Sequence, residues 1–239
     1  MFKKSVFAYI LSTRVGRVVL LIFLGCVVFG YFFICSNLFV VKKVEVLNSK
    51  LIDERSLSQC KGKNIFLVPL DSLIEKIDEI PAVKSIIIKK ELPNKLTIVI
   101  QEYIPCALLR ENMKLAVSEE GVVFPVKVRT EEINSYPLVI YENRNNTEDL
   151  QKEKKPWPGL GEAMEAYLSI KDIMPIEIIK VKRNEEIFFY PQNTKTEIRM
   201  DSGEYKKQTN YLRILMKELP SKNVKYIDLR FGKDIVVKP

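Results

Sequence analysis

The stretch that decides the fold is "GKNIFLVPLDSLIEKIDEIPAVKSIIIKKELPNKLTIVIQE", residues 62–102. Its first half carries apolar residues at the spacing of one helix face, namely Leu70, Leu73, Ile74 and Ile77. This pattern predicts an amphipathic helix that ends before Pro81, because the residue preceding a proline disfavours helical backbone angles. The second half predicts two strands, residues 83–89 and 95–102, joined through Pro93 and Asn94, which suit a turn.

The residues before this stretch complete a small α+β unit. Residues 40–48 alternate between apolar and polar, with Val44 and Val46 on the inner face, and so predict a strand. Residues 51–60 predict a short helix with Asp53 as its N-cap. The predicted order over residues 39–102 is therefore strand, helix, helix, strand, strand.

A membrane-spanning helix is predicted before this unit, at residues 18–38. Residues 18–35 contain no charge, and a helix of that length reaches about 27 Å, close to the ~30 Å of bilayer hydrocarbon. Basic residues precede this segment and no acid does, so the positive-inside rule predicts a cytoplasmic tail, residues 1–17, and an extracytoplasmic C-terminal part. A cleaved signal peptide would have a shorter apolar core, so an uncleaved anchor is favoured.

Residues 103–239 predict a second, β-rich unit of mixed or antiparallel strands with two helices. The first helix, in residues 160–174, has one apolar side, formed by Leu160, Met164, Tyr167 and Leu168. The second helix, in residues 204–220, is predicted to face the core with Tyr211, Leu212, Leu215, Met216 and Leu219. The polar, proline-containing stretch 143–159 is expected to be a mobile loop.

The chain closes on "YIDLRFGKDIVVKP", residues 226–239, which alternates like a half-buried strand. Gly232 is expected to form a bulge or, with Lys233, a two-residue hairpin turn. The last strand is then near a sheet edge, which offers backbone groups to a partner strand. The predicted partner-binding residues are Arg230, Phe231, Lys233, Asp234, Ile235 and Val237. Arg230 and Phe231 are the expected anchors, and the alternative is that Arg230 pairs with an acid of its own chain while Phe231 is core.

Composition argues against several other classes of function. Lys and Arg outnumber Asp and Glu by 38 to 30, but the excess is not clustered as nucleic-acid binding requires. The chain has no histidine, which removes Ser-His and Cys-His dyads and the usual zinc sites. No catalytic residue, metal, cofactor or small-molecule substrate is therefore predicted. Cys60 and Cys106 are expected either to form a disulfide or to remain two buried thiols.

Several short boxes occur in order along the chain: Gly62, Asn64, Ile65 and Phe66, then Pro81 and Val83, Pro93 and Leu96, Glu102, Pro105 and Ala107, Gly121 and Phe124, and the terminal "YIDLRF". Together these boxes resemble the bacterial cell-division protein family FtsQ, called DivIB in Gram-positive bacteria. The sequence departs from the family pattern at Asn48, where glycine is common, at Ala82 and Leu92, and at Ser118, where aspartate is usual. Asn tolerates the left-handed conformation, so the turn at Asn48 should survive.

This resemblance implies a POTRA domain of order βααββ at residues 39–102, followed by an FtsQ-type β domain. It implies a non-enzymatic division scaffold in the bacterial cytoplasmic (inner) membrane at the septum. The implied partners are the bitopic proteins FtsL and FtsB (or DivIC), the septal peptidoglycan synthase and FtsK, with the Asp-Leu-Arg-aromatic segment, here residues 228–231, binding a partner. The alternatives are an anchored envelope enzyme, such as a peptidase or wall hydrolase, and a POTRA-bearing transport accessory, which is disfavoured because its anchor would be a barrel rather than a helix.

Overall fold

The computed structural model describes residues 13–49, 51–52, 54–127, 132–143, 151–218, 224–232 and 234–238. The predicted N-cap Asp53 lies outside these residues. The chain divides into two compact units, the first formed by residues 1–79 with 85–101 and the second by residues 80–84 with 102–239. The architecture is α+β, as the sequence predicts.

The first unit begins with helix α1, Arg14–Cys35, which has a mean hydropathy of 2.8 and is long and apolar enough to cross a membrane. Thr13 caps its N-terminus, where the Thr13 hydroxyl accepts from Gly16 N at 3.1 Å. The helix ends at Cys35, and Asn37–Phe39 form one 3-10 turn, so the expected helical extension through Leu38 does not form. The Ser36 backbone is extended there, and its side chain accepts from Leu38 N.

The rest of the first unit is the predicted strand, helix, helix, strand, strand arrangement. Its elements are strand β1 at Lys43–Leu47, a 3-10 helix at Glu54–Cys60, helix α2 at Leu70–Asp78, strand β2 at Val83–Glu91 and strand β3 at Lys95–Glu102. The sheet order is β1-β3-β2, with β1 parallel to β3. Asn48, which follows β1, has the left-handed φ of 63° that the resemblance requires.

Helix α2 packs one narrow stripe into the core of this unit. Leu73 and Ile77 are buried, as are Leu96, Ile98 and Ile100 on β3. Ile74 is 39% exposed, so its predicted place in the core is wrong. Each residue advances by about 100° around a helix, which turns Ile74 to the margin of the stripe that Leu73 and Ile77 define.

In its described residues, the second unit is a nine-stranded mixed sheet against which helices α3 and α4 pack. Its elements are β4 Ala107–Leu109, β5 Asn112–Val117, β6 Val123–Pro125, β7 Leu138–Tyr141, α3 Leu160–Ile170, β8 Ile176–Val181, β9 Glu186–Pro191, β10 Glu197–Asp201, α4 Tyr205–Glu218, β11 Tyr226–Asp228 and β12 Val236–Lys238. The strand order is β12-β11-β10-β9-β8-β7-β4-β5-β6. Three neighbouring pairs are parallel, namely β4 with β7, β7 with β8, and β10 with β11.

The helices cover the sheet with most of the residues that their spacing predicts, but Leu168 is not part of the core. Leu160 and Met164 of α3 and Leu212 of α4 are buried in one core. Met216 is 39% exposed instead of inward, and Leu219 lies outside the described residues. The α3 Ser169 hydroxyl lies 3.0 Å from that of Thr209 on α4 and links the two helices.

The expected mobile loop 143–159 is partly packed. Residues 144–150 lie outside the described residues, but Trp157 is 6% exposed and belongs to the core. Its ring lies 5.0 Å from that of Tyr141, whose hydroxyl donates to Pro158 O at 3.1 Å. The sequence analysis did not predict that Trp157 is buried, because the stretch around it is mostly polar.

Two glycines allow α3 to approach the turn between β5 and β6. Gly121 has a φ of +80°, and a Cβ there would lie 2.4 Å from Gly161 N. Ser118 Oγ accepts from Val122 N at 3.2 Å and closes the same turn. Cys60 and Cys106 are free thiols, and burial raises the pKa of each.

Candidate partner-binding edge

The last residues form a hairpin at one edge of the large sheet. β11 and β12 pair antiparallel, with Ile227 opposite Val237 and Asp228 opposite Val236. The connecting turn includes Gly232, which has a φ of +67°, and is longer than the predicted two residues. β12 is the terminal strand of the sheet, and among the described strands none pairs with its outer side. A short edge strand of this kind presents backbone N–H and C=O groups to solvent.

Arg230 is bonded to two carboxylates of its own chain. Its Nε and Nη2 atoms donate to Asp228 at 2.9 and 2.6 Å, and its Nη1 atom donates to Glu186 Oε1. The side chain of Asp228 is only 4% exposed. Burial opposes ionisation of Asp228, but the hydrogen bonds from Arg230 outweigh it and hold the pKa of that carboxyl below its usual range. A substitution at Arg230 therefore perturbs the fold as well as any partner contact.

Phe231, by contrast, projects from the turn. It is 60% exposed, so the alternative in which it is core does not describe it. The Arg230 guanidinium lies 5.8 Å from the centre of its ring, within the range of a cation–π contact. A large exposed aromatic side chain beside a fixed arginine is a combination that is common at binding hot spots.

The other predicted edge residues are differently placed. Lys233 lies outside the described residues, and Asp234 is exposed. Ile235 is half-buried and packs against the core of the second unit. Val237 is also half-buried opposite Ile227, whereas Val236, which sequence reasoning passed over, is 42% exposed. Because successive side chains alternate across a strand, Val236 points to the face opposite to that of Val237.

That opposite face carries a row of alternating cationic and aromatic side chains, which we call the cation–aromatic row. Its members, from β8 towards β12, are Lys182, Phe188, Arg199, Tyr226 and Lys238. Lys182 Nζ lies 4.2 Å from the Phe188 ring centre, and the Arg199 guanidinium lies 4.3 Å from that of Tyr226. Lys238 Nζ lies 5.9 Å from the Tyr226 ring and extends the row onto the edge strand.

Acidic side chains orient this row. Glu197 accepts from Arg199 Nε at 2.6 Å and from the Tyr190 hydroxyl at 2.7 Å. Burial opposes ionisation of Glu197, yet the bonds from Tyr190 and Arg199 lower its pKa, while burial and Glu197 raise the pKa of Tyr190 to about 12. Sequence reasoning missed the row because its members come from separate strands. The available signal was Phe188, an aromatic residue on the outer face of a strand whose inner face already holds Ile187 and Phe189.

The groups that the described part of this edge presents are suited to binding. Within the described ranges, no group of three His, Cys, Asp or Glu side chains could hold a metal ion. At this edge Arg199 is paired with Glu197, and Arg230 is paired with Asp228. The chemistry of this surface is therefore that of backbone pairing, cation–π contact and charge complementarity.

The described residues combine an apolar helix long enough to cross a membrane, a strand-helix-helix-strand-strand unit and a β-rich unit with a terminal edge strand. The family model of the FtsQ-type POTRA domain matches residues 39–103. Over 238 residues the chain is 23% identical to the cell division protein FtsQ of Geotalea daltonii, covering 94% of this chain and 85% of that relative. It is 27% identical over 99 residues to the FtsQ of Syntrophotalea carbinolica, covering 40% of this chain and 35% of that relative.

These comparisons support the FtsQ/DivIB family and indicate a cell-division protein with a POTRA domain. They are consistent, together with α1, with a single-pass inner-membrane protein at the division site.

Proposed function

We propose that the protein is a non-enzymatic scaffold that binds FtsL- and FtsB/DivIC-type bitopic proteins at its terminal edge. Through them it helps to regulate septal peptidoglycan synthesis. The observation that carries the proposal is the edge strand β12, whose outer side has no partner among the described strands, beside the exposed Phe231. The assignment of partners rests on the family resemblance.

The edge favours strand addition as the mode of binding. A partner segment that pairs with β12 would gain backbone hydrogen bonds, and its alternate side chains would meet Val236 and Lys238, the member of the cation–aromatic row that lies on β12. The cations of the row favour acidic or aromatic partner residues at those positions. Phe231 would supply apolar contact area at the turn, next to the paired backbones.

Co-purification from bacterial membranes tests this proposal. The tagged full chain should retain FtsL- and FtsB/DivIC-type proteins, and FtsK or the septal synthase if these also bind. A chain that lacks residues 234–239 should lose the bitopic proteins while retaining the circular dichroism and the cooperative unfolding of a folded protein. Retention of the bitopic proteins by the shortened chain would place their docking site elsewhere.

We also propose that the N-terminus is cytoplasmic and that the part of the chain after α1 is extracytoplasmic. The support is the charge asymmetry around α1, where Arg14 and Arg17 lie at the N-terminal end and acids occur only after the helix. A phosphatase that is active only outside the cytoplasm, fused after residue 239, should be active. An inactive but stable fusion would reverse the orientation.

A further inference from the structure

The C-terminal end of the membrane helix is capped by a side chain of the POTRA domain. The last carbonyls of a helix have no partner within the helix, and the hydrocarbon core of a bilayer supplies no water to bond them. In α1, Phe32 O accepts from Ser36 N at 2.9 Å. Phe33 O and Ile34 O both accept from the Asn64 amide, each at 2.8 Å. One side chain thus satisfies two of the orphan carbonyls.

The same asparagine fixes the loop from which it comes. Asn64 is buried, and its Oδ1 accepts from Phe66 N at 2.9 Å. Ile65 N donates to Phe39 O at 2.8 Å, and Val41 N donates to Lys63 O at 2.9 Å. The segment that leaves the helix and the loop at residues 62–67 are therefore bonded to each other along their backbones.

Aromatic rings close the junction. The rings of Phe33 and Phe39 stack at 4.8 Å, and Phe66 lies 5.4 Å from Phe39 and 6.2 Å from Phe33. Phe33 is a residue of the membrane helix, Phe39 follows it, and Phe66 belongs to the POTRA loop. The loop is thus held at the level where the helix ends.

Three exposed apolar side chains lie on this junction, and we call them the interfacial patch. They are Leu38, Phe66 and Leu67, which are 51%, 43% and 60% exposed. The uncharged part of α1, residues 18–35, spans about 27 Å of a ~30 Å hydrocarbon layer, so its end lies at the boundary between acyl chains and headgroups. Lys61 and Lys63 are exposed in the same loop and suit the phosphate groups of lipids.

We propose that the interfacial patch inserts into the membrane interface, so that the POTRA domain is seated on the lipid surface rather than tethered above it. Asn64 acts as the positioning residue, because it joins the loop to the helix end. The domain then has two attachments to the bilayer, the helix and the patch. Its occupant is lipid, since the patch is continuous with a helix end that must itself lie at the interface.

Tryptophan quenching in vesicles of the purified full chain tests the proposal. The chain has one tryptophan, Trp157, which is buried and provides the reference signal. In vesicles of phosphatidylcholine and phosphatidylglycerol brominated near the top of the acyl chain, the added emission of a Leu67→Trp variant should be lost relative to unbrominated vesicles. A matched Ile87→Trp variant, at a position 54% exposed on β2, should keep its emission.

A second substitution separates seating from simple exposure. Adding Asn64→Ala to Leu67→Trp should reduce the quenching, with the circular dichroism of the chain retained. Equal quenching of Leu67→Trp and Ile87→Trp would overturn the proposal, and so would quenching that is unaffected by Asn64→Ala. The proposal would also be overturned if the Leu67→Trp side chain became shielded from solvent only after a bitopic partner is reconstituted. That result would assign the patch to a protein contact.

Discussion

The Arg230→Glu substitution should destabilise the second unit substantially. It removes the arginine that neutralises Asp228 and places a third carboxylate beside Asp228 and Glu186. Losing one partner of a fully buried ion pair costs about 3–5 kcal/mol. Arg230 is 22% exposed and Arg199 remains 3.7 Å from Asp228, so we expect a cost near the lower end, about 3 kcal/mol. For a unit of this size that corresponds to a fall in Tm of about 6–12 °C.

Thermal unfolding of the full chain in detergent, followed by circular dichroism, measures this effect. The matched control is Arg213→Glu, which makes the same charge change at an exposed position on α4 and should leave the Tm within about 2 °C. Equal unfolding temperatures for the two variants would refute the reasoning, because they would show that the Arg230 ion pairs contribute nothing to the fold.

Three further predictions concern single positions. Phe231→Ala should weaken capture of the bitopic partner at least about tenfold (~1.4 kcal/mol) with an unchanged Tm. The control is Ile214→Ala, at a position that is similarly exposed, and it should not weaken capture. Equal affinities of the two variants would exclude Phe231 as an anchor. Because the folded-state pKa of Asp228 is lowered, its contribution to the free energy of unfolding is present above about pH 4 and is lost as the pH falls through the folded pKa. The stability of an Asp228→Asn variant, measured by denaturant titration, should therefore depend less on pH in that acid range than the stability of the unsubstituted chain. Gly121→Ala should lower the free energy of unfolding by roughly 2 kcal/mol or more, because the new Cβ would meet the backbone of Gly161. Gly62→Ala should cost about half as much, because Gly62 also has a positive φ but has open space around it. Similar shifts of the denaturation midpoint in the two variants would contradict the close packing at Gly121.

The local patterns predicted the POTRA unit well because its elements are short, regular and sequential. β3 has the predicted bounds. Asn48 has the left-handed backbone conformation that was expected because asparagine stands there in place of the more common glycine. The predicted burial of Ile74 was wrong because a helix-face pattern does not give the width of the buried stripe, which depends on what packs against the helix.

The edge was predictable in position but not in detail. Alternation in the terminal stretch indicates a strand, and Gly232 marks its break. The pairing of Arg230 with Glu186 joins residues on separate strands, so no local pattern contains it. Trp157 illustrates the same limit, since a polar stretch can hold an aromatic residue whose partner, Tyr141, is supplied by the fold.

The most direct test of the central claim is site-specific photocross-linking at the edge strand in living cells. A photoreactive amino acid at Val236, which is 42% exposed on β12, should cross-link the full chain to an FtsL- or FtsB/DivIC-type protein. The same group at Ile214, on α4, should not. If the bitopic proteins still co-purify with the Val236 variant but cross-link only from Ile214, the terminal edge is not their docking site.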